Sequence, residues 1–180
     1  MGKKCLIIST SLRDGSNSSI IAEAFAKGAK EGGNDVELVS LQNKSISFCK
    51  GCAVCEETHK CVIGDDANAI AEKALVADIL VFATPIYFGC MSGQMKTVLD
   101  RLNQIIFDKF KFREVYLIAT SADDAANTMN VAVDELMGWV NSYDDVSLKG
   151  VIKGLGLNNS GEASGANAVL EEAYNVGKNA

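Results

Sequence analysis

The chain has one histidine, one proline and one tryptophan in 180 residues. A single histidine, His59, excludes any multi-histidine metal site. No run of apolar residues approaches the ~20 needed to span a bilayer. After Lys3 and Lys4 the first apolar run is only Cys5-Leu6-Ile7-Ile8, too short for a signal peptide. Positive charge is also short: the net charge is −6, which argues against a nucleic-acid partner, since phosphate binding needs a basic face. There is no Walker lysine pattern and no G-x-G-x-x-G, so neither a P-loop nor a dinucleotide fingerprint is supported. These absences lead to the expectation of a cytoplasmic protein with reduced thiols and no membrane partner.

What is present is an apolar chain, 48% hydrophobic, long enough as one domain over residues 1–180 to bury about 70% of its unfolded surface. Three apolar runs do not alternate: Cys5–Ile8, Ile79–Ala83 and Val115–Ala119. Such runs read as strands covered on both faces, the habit of parallel sheets. Val36–Val39 alternates and reads as a strand nearer an edge, and Val146–Ile152 as a fifth. Helical spacing falls between them, over Ile20–Ala29 (ended by Gly32-Gly33), Ala67–Val76, Ser92 to about Ile106, Val131–Val140 and Ala168–Val176. Alternation of strand and helix predicts an α/β, doubly wound sheet with right-handed crossovers and helices on both faces. The one long irregular stretch, Leu41 to about Gly64, contains most of the cysteines.

Two loops leave strand ends and carry chemistry. The first, Ser9 to Ser18, is crowded with hydroxyls, contains Arg13 and runs into a helix N-terminus. Unpaired N–H groups and a partial positive charge there suit an anion. Helix capping needs only one such residue, so the surplus points to anion binding. The second loop is Thr84-Pro85-Ile86-Tyr87-Phe88-Gly89. Pro85 stiffens the exit of a central strand at the edge where open α/β sheets bind ligands, and Tyr87 and Phe88 can line a flat ring. A tight turn that packs its aromatics inward is the other reading.

The hydroxyl-rich loop with Arg13 and Ser16-Asn17-Ser18, the P-x-Y-x-G loop and the S-x-x-x-K-x-x-x-D-R helix from Ser92 to Arg101 resemble the NADPH-dependent FMN reductase family of flavodoxin-like proteins. The spacing C-x2-C-x2-C-x5-C resembles its iron–sulfur flavoprotein branch. The resemblance implies a five-stranded parallel sheet of order 2-1-3-4-5 with FMN at the carboxyl ends of the strands. It implies that Ser9, Ser11, Arg13, Ser16, Asn17 and Ser18 hold the FMN phosphate and that Pro85, Ile86, Tyr87, Phe88 and Gly89 border the isoalloxazine. Thr120 and Ser121 occupy the place of a third flavin loop. NAD(P)H as electron donor, a small-molecule acceptor such as flavin or quinone, and a homodimer or homotetramer follow from the same resemblance. The flavin supplies the redox chemistry in such a protein, so no side-chain acid or base is needed.

The cysteine-rich loop, at about 43–65, holds four of the six cysteines: Cys49, Cys52, Cys55 and Cys61. Three readings are open. The thiolates ligate a 4Fe–4S cluster, which the iron–sulfur branch implies would relay electrons from a ferredoxin-like donor to FMN. They bind zinc, in a redox-sensing or zinc-stabilised module that is not an enzyme. Or they pack or form a labile disulfide near the flavin without metal. The loop follows the second strand and is expected to approach the carboxyl edge of the sheet. Cys5 is expected in the core, Trp139 as packing, and Asp100-Arg101 as a pair that pins neighbouring backbone or each other. The acidic residues between 121 and 148 read as a solvated face or as a docking patch for a basic partner.

Overall fold

A computed structural model describes residues 2–180. The strands are β1 Lys4–Ser9, β2 Asp35–Ser40, β3 Ile79–Tyr87, β4 Cys90–Met91, β5 Glu114–Thr120 and β6 Ser147–Gly154. The helices are α1 Asn17–Glu31, α2 Val54–Thr58, α3 Asp66–Val76, α4 Gly93–Arg101, α5 Asn130–Val140 and α6 Asn167–Lys178. Five strands pair in parallel in the order β2-β1-β3-β5-β6, which is the expected 2-1-3-4-5 order of a doubly wound sheet. The two-residue β4 adds a short antiparallel arm to β3, through Ile86 opposite Met91 and Tyr87 opposite Cys90.

The non-alternating runs behave as their composition requires. Along β1, Leu6 and Ile8 join the core on one face, and Cys5 and Ile7 join the core on the other. The first core lies with the apolar sides of α3, α4 and α5, through Ile70, Met95, Val98 and Leu136. Phe82 and Phe112 meet Trp139 there, at ring-centroid distances of 5.4 and 6.0 Å, so Trp139 is packing as expected. The second core lies under α1 and α6. These two helices approach closely because glycine stands at the crossing: a Cβ on Gly28 would sit 2.0 Å from the Tyr174 carbonyl oxygen.

Three local features depart from the expected outline. The third helical stretch ends as α-helix at Arg101 and tightens into a 3-10 turn over Leu102–Ile105. Inside the cysteine segment a five-residue helix forms, entered and left by Ala53 and His59 at positive φ. β3 continues through Pro85 to Tyr87 rather than ending before it. The Ala83 carbonyl accepts from Thr10 on the β1 side, and Pro85, two residues on, faces that same side. β1 has ended there, so the missing N–H of Pro85 leaves no ladder bond unmade.

Candidate functional site

At the carboxyl edge, the first loop folds inward. Thr10 Oγ1 donates to the Ala83 carbonyl at 3.0 Å and lies 3.3 Å from Ser92 Oγ. Thr84 Oγ1 donates to Ser92 Oγ at 3.0 Å. Ser92 in turn caps α4 by accepting from Met95 N–H. This buried hydroxyl cluster ties the first loop, the end of β3 and the start of α4 into one rigid wall. Ser16 caps α1 by accepting from Ser19 N–H and sits 3.0 Å from Ser18 Oγ. The N–H groups of Asn17 and Ser18, in the first helical turn, have no intrahelical acceptor.

The second loop closes as a tight hairpin. Phe88 (φ 53°) and Gly89 (φ 79°) both lie in the left-handed region, the conformation of a two-residue type I′ turn. Glu135 of α5 accepts Met91 N–H at 2.9 Å and pins the returning arm. Phe88 stands fully exposed at the tip, and Tyr87 is half-exposed.

A cleft of about 200 Å³ opens where the loops meet, lined by Ser11, Arg13, Ser16, Asn17, Pro85, Ile86, Tyr87 and Thr120, with Ala122, Leu157 and Asn158. Eight of the expected flavin residues therefore converge. Five do not line it. Ser9 Oγ is turned to Ser19 Oγ at 2.7 Å, and Ser18 to Ser16. Ser121 Oγ donates to the Asp123 carbonyl. Phe88 and Gly89 form the turn beyond the rim.

Ala122, Leu157 and Asn158 carried no expectation. The segment after β6 folds back on the first loop. Asn17 Nδ2 donates to the carbonyls of Leu157 (3.2 Å) and Asn159 (2.8 Å), and Asn17 Oδ1 accepts from Ala163 N–H at 3.0 Å. Arg13 Nη1 donates to the Asn158 carbonyl at 2.9 Å, and Gly161 N–H to the Gly15 carbonyl at 2.8 Å. The Asn17 side chain is thus a bolt, with its amide fully used inside the protein. What this residue offers an anion is its backbone N–H. The only sequence signal for this segment is its content of Asn and Gly, which marks a loop and not its destination.

The donors facing the cleft are hydroxyls, backbone N–H groups at a helix start and one guanidinium. No carboxylate lines it. That chemistry fits a phosphate, and the Pro85–Tyr87 wall offers an apolar and aromatic flank to a ring.

Cys49, Cys52, Cys55 and Cys61 line a separate cavity of about 110 Å³. It shares no lining residue with the cleft. All six cysteines are free, Cys49 and Cys52 exposed, Cys55 and Cys61 half-buried. Among the described residues, no three His, Cys, Asp or Glu side chains gather around one point as a single ion demands. A tetrahedral zinc site is therefore not preformed. A four-iron cube spaces its thiolates more widely and is compatible with four thiols around one cavity. The loop does not stay at the carboxyl edge as expected. It runs along α3 and α4: Ser47 N–H donates to Asp65 Oδ2, and Cys61 N–H to Gln104 Oε1 at 3.0 Å. Its cysteines thus rest near the far end of α4, ~13 Å of helix rise from Ser92.

Arg101 holds this loop. Nη1 donates to the Ser47 carbonyl (2.9 Å) and Asp65 Oδ2 (2.7 Å), and Nη2 to the Ile63 carbonyl (3.2 Å) and Asp65 Oδ1 (2.8 Å). The expectation that it pins backbone holds, but its carboxylate partner is Asp65. Asp100 pairs instead with Lys96, at 2.5 Å. Burial would raise the Asp65 carboxyl, but the Arg101 hydrogen bonds, the N–H groups of Ser47 and Ala67 and the guanidinium charge outweigh it and hold it at about 2. His59 is exposed in this loop.

The family model described as NADPH-dependent FMN reductase matches residues 3–144, which include all three expected flavin loops and all four clustered cysteines. The chain belongs to the NADPH-dependent FMN reductase family. Among its relatives is an iron–sulfur flavoprotein of Methanocaldococcus jannaschii, 36% identical over 98 residues, 54% of this chain and 51% of that protein. Another is an FMN-dependent NADPH-azoreductase of Staphylococcus aureus, 30% identical over 139 residues, 75% of this chain and 71% of that one. The chain spans about half the length of the iron–sulfur flavoproteins it matches. In fold it is similar to an NAD(P)H:quinone oxidoreductase from Methanothermobacter marburgensis, with TM-score 0.73 over 99% of both chains at 19% identity. No helix among the described residues is long and apolar enough to cross a membrane. The segment that covers the first loop, residues 157–161, lies beyond the stretch the family model matches.

Proposed function

We propose that the chain binds FMN in the three-loop cleft and works as an NAD(P)H-dependent oxidoreductase on a small acceptor such as a flavin or quinone. The observation that carries this reading is the convergence of loops from three strand ends on one cleft free of carboxylates, in a chain of this family. Ser11, Ser16, Arg13 and the first-turn N–H groups of α1 would take the phosphate. Pro85, Ile86 and Tyr87 would flank the ring, with Thr120 on the opposite strand end. Bound FMN supplies hydride acceptance and electron transfer. The protein's part is to bind, to orient and to keep the hairpin rigid through Glu135. Anaerobic mixing of FMN-loaded protein with NADPH or NADH tests this: the oxidised flavin band bleaches and returns on adding a quinone. A flavin that stays oxidised with both nucleotides rejects a nicotinamide donor.

A second reading concerns the other cavity and is compatible with the first. Four thiols around one small cavity, in a chain whose relatives include iron–sulfur flavoproteins, favour a 4Fe–4S cluster held by Cys49, Cys52, Cys55 and Cys61. A ferredoxin-like protein would then replace the nicotinamide as donor. Iron and sulfide analysis of anaerobically reconstituted protein decides: four irons per chain support it, and iron-free protein rejects it. Exposed Leu12, Phe48, Tyr87 and Phe88 favour a homodimer or homotetramer over a monomer, which light scattering reads directly.

A further inference from the structure

Two of the clustered sulfurs accept from an N–H group, and Arg101 binds the backbone beside a third. Gly51 N–H donates to Cys49 Sγ at 3.5 Å. Asn103 Nδ2 donates to Cys55 Sγ at 3.6 Å. Arg101 Nη2 donates to the Ile63 carbonyl at 3.2 Å, two residues past Cys61. Two of these donors, and the Gln104 oxygen that accepts Cys61 N–H, come from the end of α4 and the 3-10 turn that follows it.

The arrangement at Arg101 is the most telling. All four Nη–H bonds are spent on Ser47, Ile63 and the two oxygens of Asp65. One donor remains, Nε–H, and it is buried with no partner among the described residues. A guanidinium has five N–H donors, and a buried one left unpaired is costly. The loop that Arg101 holds carries the Cys61 sulfur two residues before Ile63. A neutral thiol is a weak acceptor, whereas a thiolate is a strong one. The unpaired donor is therefore suited to a sulfur that carries charge.

We propose that Arg101 and Asn103 are positioning residues for the cysteine cavity, donating N–H···S bonds to Cys61 and Cys55 and thereby setting the reduction potential of the group those sulfurs ligate. This rests on the iron–sulfur reading above. Adding one electron to such a site increases negative charge on its sulfurs. Donors aimed at sulfur, and a buried cation beside it, favour the reduced form and raise the potential. The tight turn after Arg101 has a purpose in this account. It sets Asn103 against the cavity while Gln104 accepts Cys61 N–H and Arg101 holds the backbone of the loop.

Asn103 supplies the clean test, because it does not hold the loop. The variants Asn103→Ala and Asn103→Asp are reconstituted anaerobically with ferrous iron and sulfide beside the wild-type chain. Iron per chain, iron loss to a chelator and the midpoint potential from a dye-equilibrated titration are measured. Circular dichroism confirms that each variant is folded. Asn103→Ala is expected to bind iron, to lose it faster and to lower the one-electron reduction equilibrium by roughly tenfold, ~59 mV more negative. Asn103→Asp, which points an anion at Cys55, is expected to shift it further. Arg101→Lys keeps a charge but loses the Nε–H and is expected to shift in the same direction. Variants that hold iron at the wild-type potential overturn the proposal and leave the iron–sulfur reading intact. A folded wild-type chain that takes up no iron overturns both.

Discussion

The Asp65–Arg101 pair gives the cysteine loop an acid limit that can be calculated. Asp65 is nine-tenths buried and accepts from Arg101, Ser47 N–H and Ala67 N–H, so it closes the loop, caps α3 and neutralises a buried cation at once. Its carboxyl is held at about 2, against 3.8 in the unfolded chain. A lowered folded value means stability that is present above the unfolded value and lost as pH falls toward the folded one. At 1.36 kcal/mol per pH unit the difference amounts to ~2 kcal/mol, disappearing between about pH 4 and pH 2. The variant Asp65→Asn removes this titration and strands the Arg101 charge, which costs about 3–5 kcal/mol near neutral pH. Urea unfolding of both proteins from pH 2 to 7, with the metal-free chain, isolates the effect. The gap between wild type and variant should be constant above about pH 5 and narrow by ~2 kcal/mol on acidification. A gap that stays the same down to pH 2 would refute the pairing as described.

Three further outcomes follow from other parts of the molecule. Asn17→Ala removes three hydrogen bonds to the 157–163 segment, so it should cost about 2–3 kcal/mol and speed amide exchange there more than in β1. Gly28→Ala places a Cβ against the Tyr174 carbonyl and should lower Tm and expose the α1–α6 contact to proteolysis, although alanine is the better helix former. Burial pushes the Cys5 thiol up to about 12, so wild type should lose stability relative to Cys5→Ala as pH rises above 9, by ~1.4 kcal/mol per pH unit, in urea midpoints measured from pH 8 to 11.

The parallel sheet covered on both faces could be read from the sequence because each buried strand is a continuous apolar run, whereas the strand order came from the family resemblance. The first loop was legible for a related reason: its hydroxyls exceed what one cap needs. Their individual roles were not legible. Ser9 and Ser18 are chemically the same as Ser11 and Ser16, and only the direction of each side chain separates a cleft-lining residue from an internal one. The partners of the loop in residues 157–161 act mostly through backbone carbonyls, which carry no residue label. Pro85 suggested the end of a strand, because proline usually breaks a ladder. It stands instead two residues past the end of β1, where no bond is lost. Arg101 was legible as a backbone pin, but Asp65 lies 36 residues away, and a local reading offered Asp100 instead.

Titration of the purified chain with FMN, followed by flavin fluorescence and calorimetry, tests the central claim most directly. The account predicts saturation at one FMN per chain, weakened at least tenfold when Ser16 and Arg13 are replaced by alanine together, with riboflavin (which lacks the phosphate) bound far less well. Flavin that remains free at any protein concentration, or riboflavin bound as tightly as FMN, would contradict it.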